Sequence, residues 1–315
     1  MKPSLSVICF TTLAGAGYGM LFWLGVLDAG GLLPAGRWFG VAATGAAMAL
    51  ASIGLLFSTA HLGRPERAWR AISQWRSSWL SREGVAALLS YVPAGLLALC
   101  WALAGPRVGV TLVFAVLSAL AAAATVVCTA MIYRSLKPVR QWHNPYVLPN
   151  YLALALFGGG ACLAAMTSFW QAAPARIVGG LAIAAGLVGL AGKIAYWRSI
   201  DRRPGATTIE SATGLGALGP VRMLDVPNTE ENYLLREMAF RIGRKHGLRL
   251  RRIALSLGFA GPLLLLALGA GLGGTAAEIL FPLAAICAMA GIYVERWLFF
   301  AQATHTVALY YGRPA

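Results

Sequence analysis

"STAHLGRPERAWRAISQWRSSWLSREG", residues 58–84, is a basic interruption between two long apolar runs. It carries five arginines, three tryptophans, His61 and, near its far end, Glu83. The chain around it is 58% hydrophobic and only 12% charged, against about 25% charged residues in soluble domains. Its apolar residues fall in continuous runs instead of amphipathic patterns. A membrane span needs about 20 mainly apolar residues. Eight runs reach that length: 5–30, 37–61, 82–104, 108–133, 149–171, 175–198, 251–273 and 276–300. In lipid a backbone must satisfy its own hydrogen bonds, so each run is expected to be a helix. The expected fold class is all-α, a polytopic membrane protein with eight transmembrane helices forming one integral membrane domain over 1–315. Small residues at Ala14, Gly15 and Ala16 would suit a cleaved leader. The first run continues past them through Met20, Phe22, Trp23 and Leu27, however, and is expected to be kept as a span.

Lysine and arginine set the orientation. With eight spans both termini share a side, and that side holds 22 of the 26 basic residues. They are Lys2, the five arginines of the opening loop, three residues in 134–140, eleven in 198–252, Arg296 and Arg313. The opposite loops hold only Arg37, Arg107 and Arg176, while Lys193 lies inside the sixth run. Such asymmetry predicts that the basic side and both termini are cytoplasmic, in a bacterial inner membrane. The net charge of +15 then describes one face, and no soluble basic domain exists to bind nucleic acid.

Cys9, Cys100, Cys128, Cys162 and Cys287 all lie within apolar runs and never approach a C-x-x-C spacing, so an iron–sulfur cluster in this chain is not expected. Haem in a bundle takes imidazoles from the spans. His143 and His246 sit in loops, which leaves His61 with His305 as the one pair able to bridge a haem. No histidine lies in the outer leaflet, so two stacked haems are ruled out, and none is expected.

Ionisable residues inside a membrane are candidates for function. Lys193, followed by Tyr196 and Trp197, reads as a lysine snorkelling to an aromatic belt. Asp28 and Glu278 read as wetted helix ends. Glu295 and Arg296 are adjacent, point about 100° apart on a helix, and are expected to serve separate neighbours. Glu83 differs in its setting. Gly63 and Pro65 end the second span and start a short interfacial helix, in which Ala68, Trp69, Ile72 and Trp75 recur between arginines. Ser81 is expected to cap the third span, which would put Glu83 in its first turn near the positive end of the helix dipole. That is one sufficient role for the carboxylate. The other is chemical, since the loop brings His61, Glu83, Arg64 and Arg82 to one membrane depth above apolar helix walls. A quinone head group needs hydrogen-bond partners, a proton-carrying acid or imidazole, and an apolar slot for its tail.

"HLGRPERAWRA" (61–71), "SWLSREG" (78–84) and "ERWLFFAQATH" (295–305) resemble the membrane-anchor subunit family of dimethyl sulfoxide reductases, distantly akin to polysulfide reductase anchors. The most specific element is H-L-G-x-P-x-R-A, matched by His61, Leu62, Gly63, Pro65, Arg67 and Ala68. The resemblance implies that His61 and Glu83 take part in quinol binding, with menaquinone or ubiquinone as the cofactor. It further implies a chain without haem or clusters that holds a four-cluster ferredoxin-like subunit, which in turn carries a molybdopterin catalytic subunit. Arg64 and Arg82 are the nearest groups to polarise a quinone oxygen, and Arg67, Arg70 and Arg76 are docking candidates. The resemblance also covers sulfite-oxidising complexes, and the anchor of a cytoplasm-facing sulfite dehydrogenase is preferred over an S-oxide reductase. The long basic loop 199–250 departs from a minimal member. Within it Asn228 and Glu231 fit a helix-capping pair, and Leu234, Leu235, Met238 and Ile242 form a stripe beside Arg236, Arg241, Arg244 and Lys245. An amphipathic helix near 229–245 would lie on anionic lipid or dock the iron–sulfur partner.

Two rival classes predict other features. A transporter would show inverted halves and broken helices, and spans one to four do not repeat in five to eight. The glycines of "FGGGA" (157–161) and of 179–192 read as packing surfaces. A purely structural anchor, with no quinone site, is the closer rival.

Overall fold

The computed structural model describes residues 3–60, 62–106, 109–202, 207–222, 224–225 and 246–311. All eight expected spans are helices long and apolar enough to cross a membrane. They are α1 (Leu5–Ala29), α2 (Arg37–Ala60), α3 (Trp79–Leu103), α4 (Gly109–Arg134), α5 (Val147–Ser168), α6 (Ala172–Arg202), α7 (Gly247–Leu272) and α8 (Gly274–Ala301). Among the described residues there is no strand; the single β-type contact is an isolated bridge between Val139 and His305.

The ends differ from expectation in instructive ways. α3 begins at Trp79, because Ser78 caps it, its Oγ accepting the Ser81 amide at 3.5 Å. Ser81 is therefore not the cap; it is a buried residue inside the helix. α6 runs on through Arg198 to Arg202 and spans 31 residues. At 1.5 Å per residue it is about 46 Å long, more than the roughly 30 Å hydrocarbon core, so it is long enough for its basic end to reach beyond the bilayer.

α1 and α5 form the centre. α1 packs on α2, α4, α5 and α8, and α5 packs on α1, α4, α6 and α8. Their backbones nearly touch. A side chain at Gly19 would strike the Ala155 carbonyl, and one at Gly159 would strike the backbone of Gly19 and Met20. Lipid offers no hydrophobic drive between helices, so close backbone approach through small residues does the packing. The reading of "FGGGA" as a packing surface agrees with this contact. In α7 the helix widens into a π turn over Ser256–Ala260, where Gly258 lies against Gly291 of α8.

The opening loop contains a 3-10 helix over Pro65–Gln74 with Pro65 at its start and no buried residue. A 3-10 helix eclipses residues three apart, which places Trp69, Ile72 and Trp75 on one side. The described part of the long loop holds a short helix, Ile209–Thr213, with a capping box between Thr208 and Ser211, and a 3-10 turn over Gly216–Leu218. The helix expected near 229–245, with Arg236, Arg241, Arg244 and Lys245, lies outside the described residues. At the same end the connections are tied together. The Thr306 amide donates to the Pro138 carbonyl at 3.1 Å, Gln141 Nε2 to Thr304 Oγ1 at 2.9 Å, and Tyr310 Oη to the Ala212 carbonyl at 2.6 Å.

Candidate functional site

Of the four residues named for a quinone site, Arg64, Arg82 and Glu83 lie among the described residues, each in a different setting. His61 lies outside the described residues. Arg64 is exposed, at the position just before the 3-10 helix. Arg82 is committed to the loop: its Nε donates to the Trp75 carbonyl at 3.0 Å and its Nη2 to the Arg76 carbonyl at 2.7 Å. Its guanidinium also stacks over the Trp79 ring, 4.3 Å from the centroid. Arg82 thus pins the loop to the start of α3. Arg70 and Arg76 stack on Trp69 and Trp75 in the same way, at 5.5 and 5.3 Å, and Arg67, Arg70 and Arg76 are all exposed.

Glu83 points the other way. As the fifth residue of α3 it stands in the second helical turn, about 6 Å below the start of the helix, and not in the first turn as the expected Ser81 cap required. A dipole effect confined to the first turn has less hold on it there. It is 4% exposed and lies on the inner face of α3, with Ala87, Ser90 and Ala94 below it. Its carboxylate accepts a hydrogen bond from the Thr129 hydroxyl of α4. Thr129 Oγ1 also lies 3.1 Å from the Thr125 carbonyl. One hydroxyl with these two neighbours suits both forms of the acid. It donates to an ionised Glu83, or it accepts from a protonated Glu83 and turns its hydrogen to Thr125.

Glu83 belongs to a layer of buried polar groups at the basic end of the bundle. Lys193 of α6 does not snorkel: it is 1% exposed and ion-paired with Glu295 of α8. Glu295 and Arg296 do not serve separate neighbours either. Arg296 Nε donates to Glu295 Oε2 at 2.6 Å, because a bent arginine side chain reaches back over the angle between adjacent residues. The Arg296 guanidinium lies 4.1 Å from the Tyr151 ring centroid, and Tyr151 stacks on Tyr133 at 5.8 Å. Lys193 Nζ is 4.2 Å from the Tyr196 ring centroid, so aromatic faces and a carboxylate take the place of water around both cations. Two further expectations divide. Asp28 is buried and accepts from Trp101 Nε1 at 3.3 Å, so it is not a wetted end, whereas Glu278 is exposed as expected.

Between α1, α4, α5 and α8 lies a partly enclosed cavity of about 20 Å³, lined by Thr12, Tyr18, Thr129, Tyr151 and Arg296 among others. Sequence reasoning missed Thr129, Tyr151 and the Lys193–Glu295–Arg296 cluster as one site. A signal existed, since Lys193 and Glu295 are opposite charges in different apolar runs at similar distances from the basic side. Among the described residues no three His, Cys, Asp or Glu side chains come together as metal ligands. His305, just past α8, accepts the Val307 amide on Nδ1 at 3.1 Å, and partial burial holds its pKa below the usual histidine value.

Residues 1–301 match the family model described as DMSO reductase anchor subunit (DmsC). The chain is also 36% identical to a sulfite dehydrogenase subunit of Allochromatium vinosum, over 99% of each chain. With a family match over nearly its whole length and eight apolar helices, this multi-pass membrane protein belongs to the DMSO reductase anchor subunit family.

Proposed function

We propose that this chain is the membrane anchor and quinone-reactive subunit of a molybdopterin oxidoreductase. It would pass electrons between the quinone pool and a four-cluster iron–sulfur partner, which carries the catalytic subunit. The observation that carries the reading is Glu83, a carboxyl buried in the membrane beneath a basic loop, with Thr129 placed to satisfy it protonated or ionised.

The residues around the loop fit a quinone in kind. Glu83 supplies an acid, Arg64 an exposed guanidinium, and Leu56, Phe57 and Leu80 expose apolar surface at the same end of α2 and α3. A bound quinone would supply a carrier for two electrons and two protons. Glu83 would hold or release a proton at its carboxyl oxygen, with His61 as its partner in that task. Arg64 would polarise a carbonyl oxygen by hydrogen bonding. Arg82, through the Trp75 and Arg76 carbonyls, would hold the loop in place over the site. The exposed Arg67, Arg70 and Arg76 would face an acidic surface of the iron–sulfur partner, and the basic segment around Arg236, Arg241, Arg244 and Lys245 would add to that face.

The basic end is read as cytoplasmic from the distribution of lysine and arginine, which puts the catalytic subunits in the cytoplasm. The likeness to a sulfite dehydrogenase subunit favours sulfite as the substrate of the complex. Sulfite and water would give sulfate, two protons and two electrons in the catalytic subunit, and the electrons would leave through this chain to quinone. Photolabelling tests the site. A photoreactive quinone analogue added to the intact complex should label peptides within 58–84, and label confined to the partner subunits would contradict the reading.

A further inference from the structure

Four residues that carry hydroxyls, Thr12 and Tyr18 of α1, Thr129 of α4 and Tyr151 of α5, line the cavity. Its volume of about 20 Å³ admits a single water, which needs two to four polar partners. Thr12 Oγ1 is buried with no hydrogen-bond partner among the described groups, and Tyr18 Oη and Tyr151 Oη make none of ordinary geometry, with Ser90 beside the first and Arg296 beside the second. Buried polar atoms are almost always satisfied, by protein or by ordered water. The walls matter as much as the size. One is Thr129, whose hydroxyl donates to Glu83; another is Arg296, which is bonded to Glu295 and through it to Lys193.

We propose that a water in this cavity carries protons between Glu83 and the Lys193–Glu295–Arg296 cluster, which makes the cluster the exit from Glu83 toward the basic surface. The proposal rests on the reading of Glu83 as the group that exchanges protons with quinone. A proton leaves Glu83 by way of the Thr129 hydroxyl for the water, and one of the water's own protons moves on past the Tyr151 hydroxyl into the cluster, where a neutral Lys193 amine takes it. Glu83 is left ionised, Lys193 charged, Glu295 still a carboxylate between its two cations, and no electron moves. Within the cluster Arg296 keeps its proton, because a guanidinium stays charged in proteins, and Glu295 stays ionised between two cations, whereas the Lys193 amine can change state. Beyond Lys193, Trp197 carries the guanidinium of Arg251 at 5.3 Å, and Arg251 is paired at 2.6 Å with Asp201, whose side chain is exposed. One aromatic layer therefore separates the cluster from the surface.

The test uses the intact complex in native membranes with Thr12→Val and Tyr151→Phe combined. Valine keeps the threonine shape, and phenylalanine keeps the ring under Arg296 while losing the hydroxyl. Quinone-linked turnover per assembled complex should fall at least about tenfold, with a larger solvent deuterium isotope effect and undiminished binding of a quinone-analogue inhibitor. A purely structural role for the two hydroxyls would leave the isotope effect where it was. If this variant turned over at the wild-type rate while Glu83→Gln was slow, the relay would be overturned and the Glu83 reading would stand. If Glu83→Gln were itself at the wild-type rate, the underlying reading would fail instead. Should the combined variant not assemble, a wild-type structure that resolves internal waters decides: ordered density in the cavity supports the relay, and an empty cavity overturns it.

Discussion

Lys193 of α6 and Glu295 of α8 are ion-paired inside the bundle, at 1% and 0% exposure, and Arg296 completes the group with a second positive charge on the same carboxylate. The three charges do not balance, and the consequence for mutation is asymmetric. Glu295→Gln leaves two buried cations facing each other without a counter-charge, which should cost about 3–5 kcal/mol. Lys193→Met removes the excess charge, fills a similar volume, and leaves the neutral Glu295–Arg296 pair in place, so its loss should be much smaller. Thermal unfolding of the two variants in detergent checks this, and equal losses would show that the pairing does not govern the energetics.

Topology follows from the same charges that identify the basic end. Reporter fusions after Arg76, Arg140 and Lys245 should report cytoplasm, and fusions near Arg107 or Gly274 should report periplasm. Reversed reporters would move the catalytic subunits to the other side of the membrane.

His305 gives a pH dependence with a fixed sign. Its pKa is held below the usual value, so the unfolded segment takes up a proton before the folded one does. The contribution to stability is present above about pH 6.5 and is lost as the pH falls through the lowered folded value. Protonation of Nδ1 also removes the acceptor for the Val307 amide. Hydrogen exchange in 302–311, corrected for intrinsic rates, should be faster at about pH 5.5 than at about pH 7.5. Slower corrected exchange at the lower pH would contradict the assignment of Nδ1 as an acceptor.

The eight spans were legible because lipid forces apolar runs of about 20 residues into helices, whatever their neighbours. Their ends were less so: whether Ser78 or Ser81 caps α3 depends on a backbone turn, and both residues are good caps. Glu83 was legible as an acid out of place, but its partner Thr129 was not, since contacts between distant helices leave no local pattern. Lys193 illustrates the same limit. A lysine near a helix end beside Tyr196 and Trp197 reads the same whether it reaches outward or inward, and only the position of Glu295 decides.

Cofactor content is expected to separate this chain from its partners. The isolated anchor should show no haem Soret band and no acid-labile sulfide, whereas the whole complex should contain iron–sulfur clusters and molybdenum. Stoichiometric haem on this chain alone would point to His61 and His305 as ligands and would displace the quinone reading.

Glu83→Gln is the most direct measurement of the central claim, because glutamine keeps the shape and a hydrogen bond with Thr129 but cannot carry the proton. In the assembled complex, electron exchange with quinone should slow by about 10²-fold or more, while artificial dyes that meet the catalytic subunits directly are served at the normal rate. Wild-type rates in both assays would contradict the account and leave Glu83 as a structural carboxyl of α3.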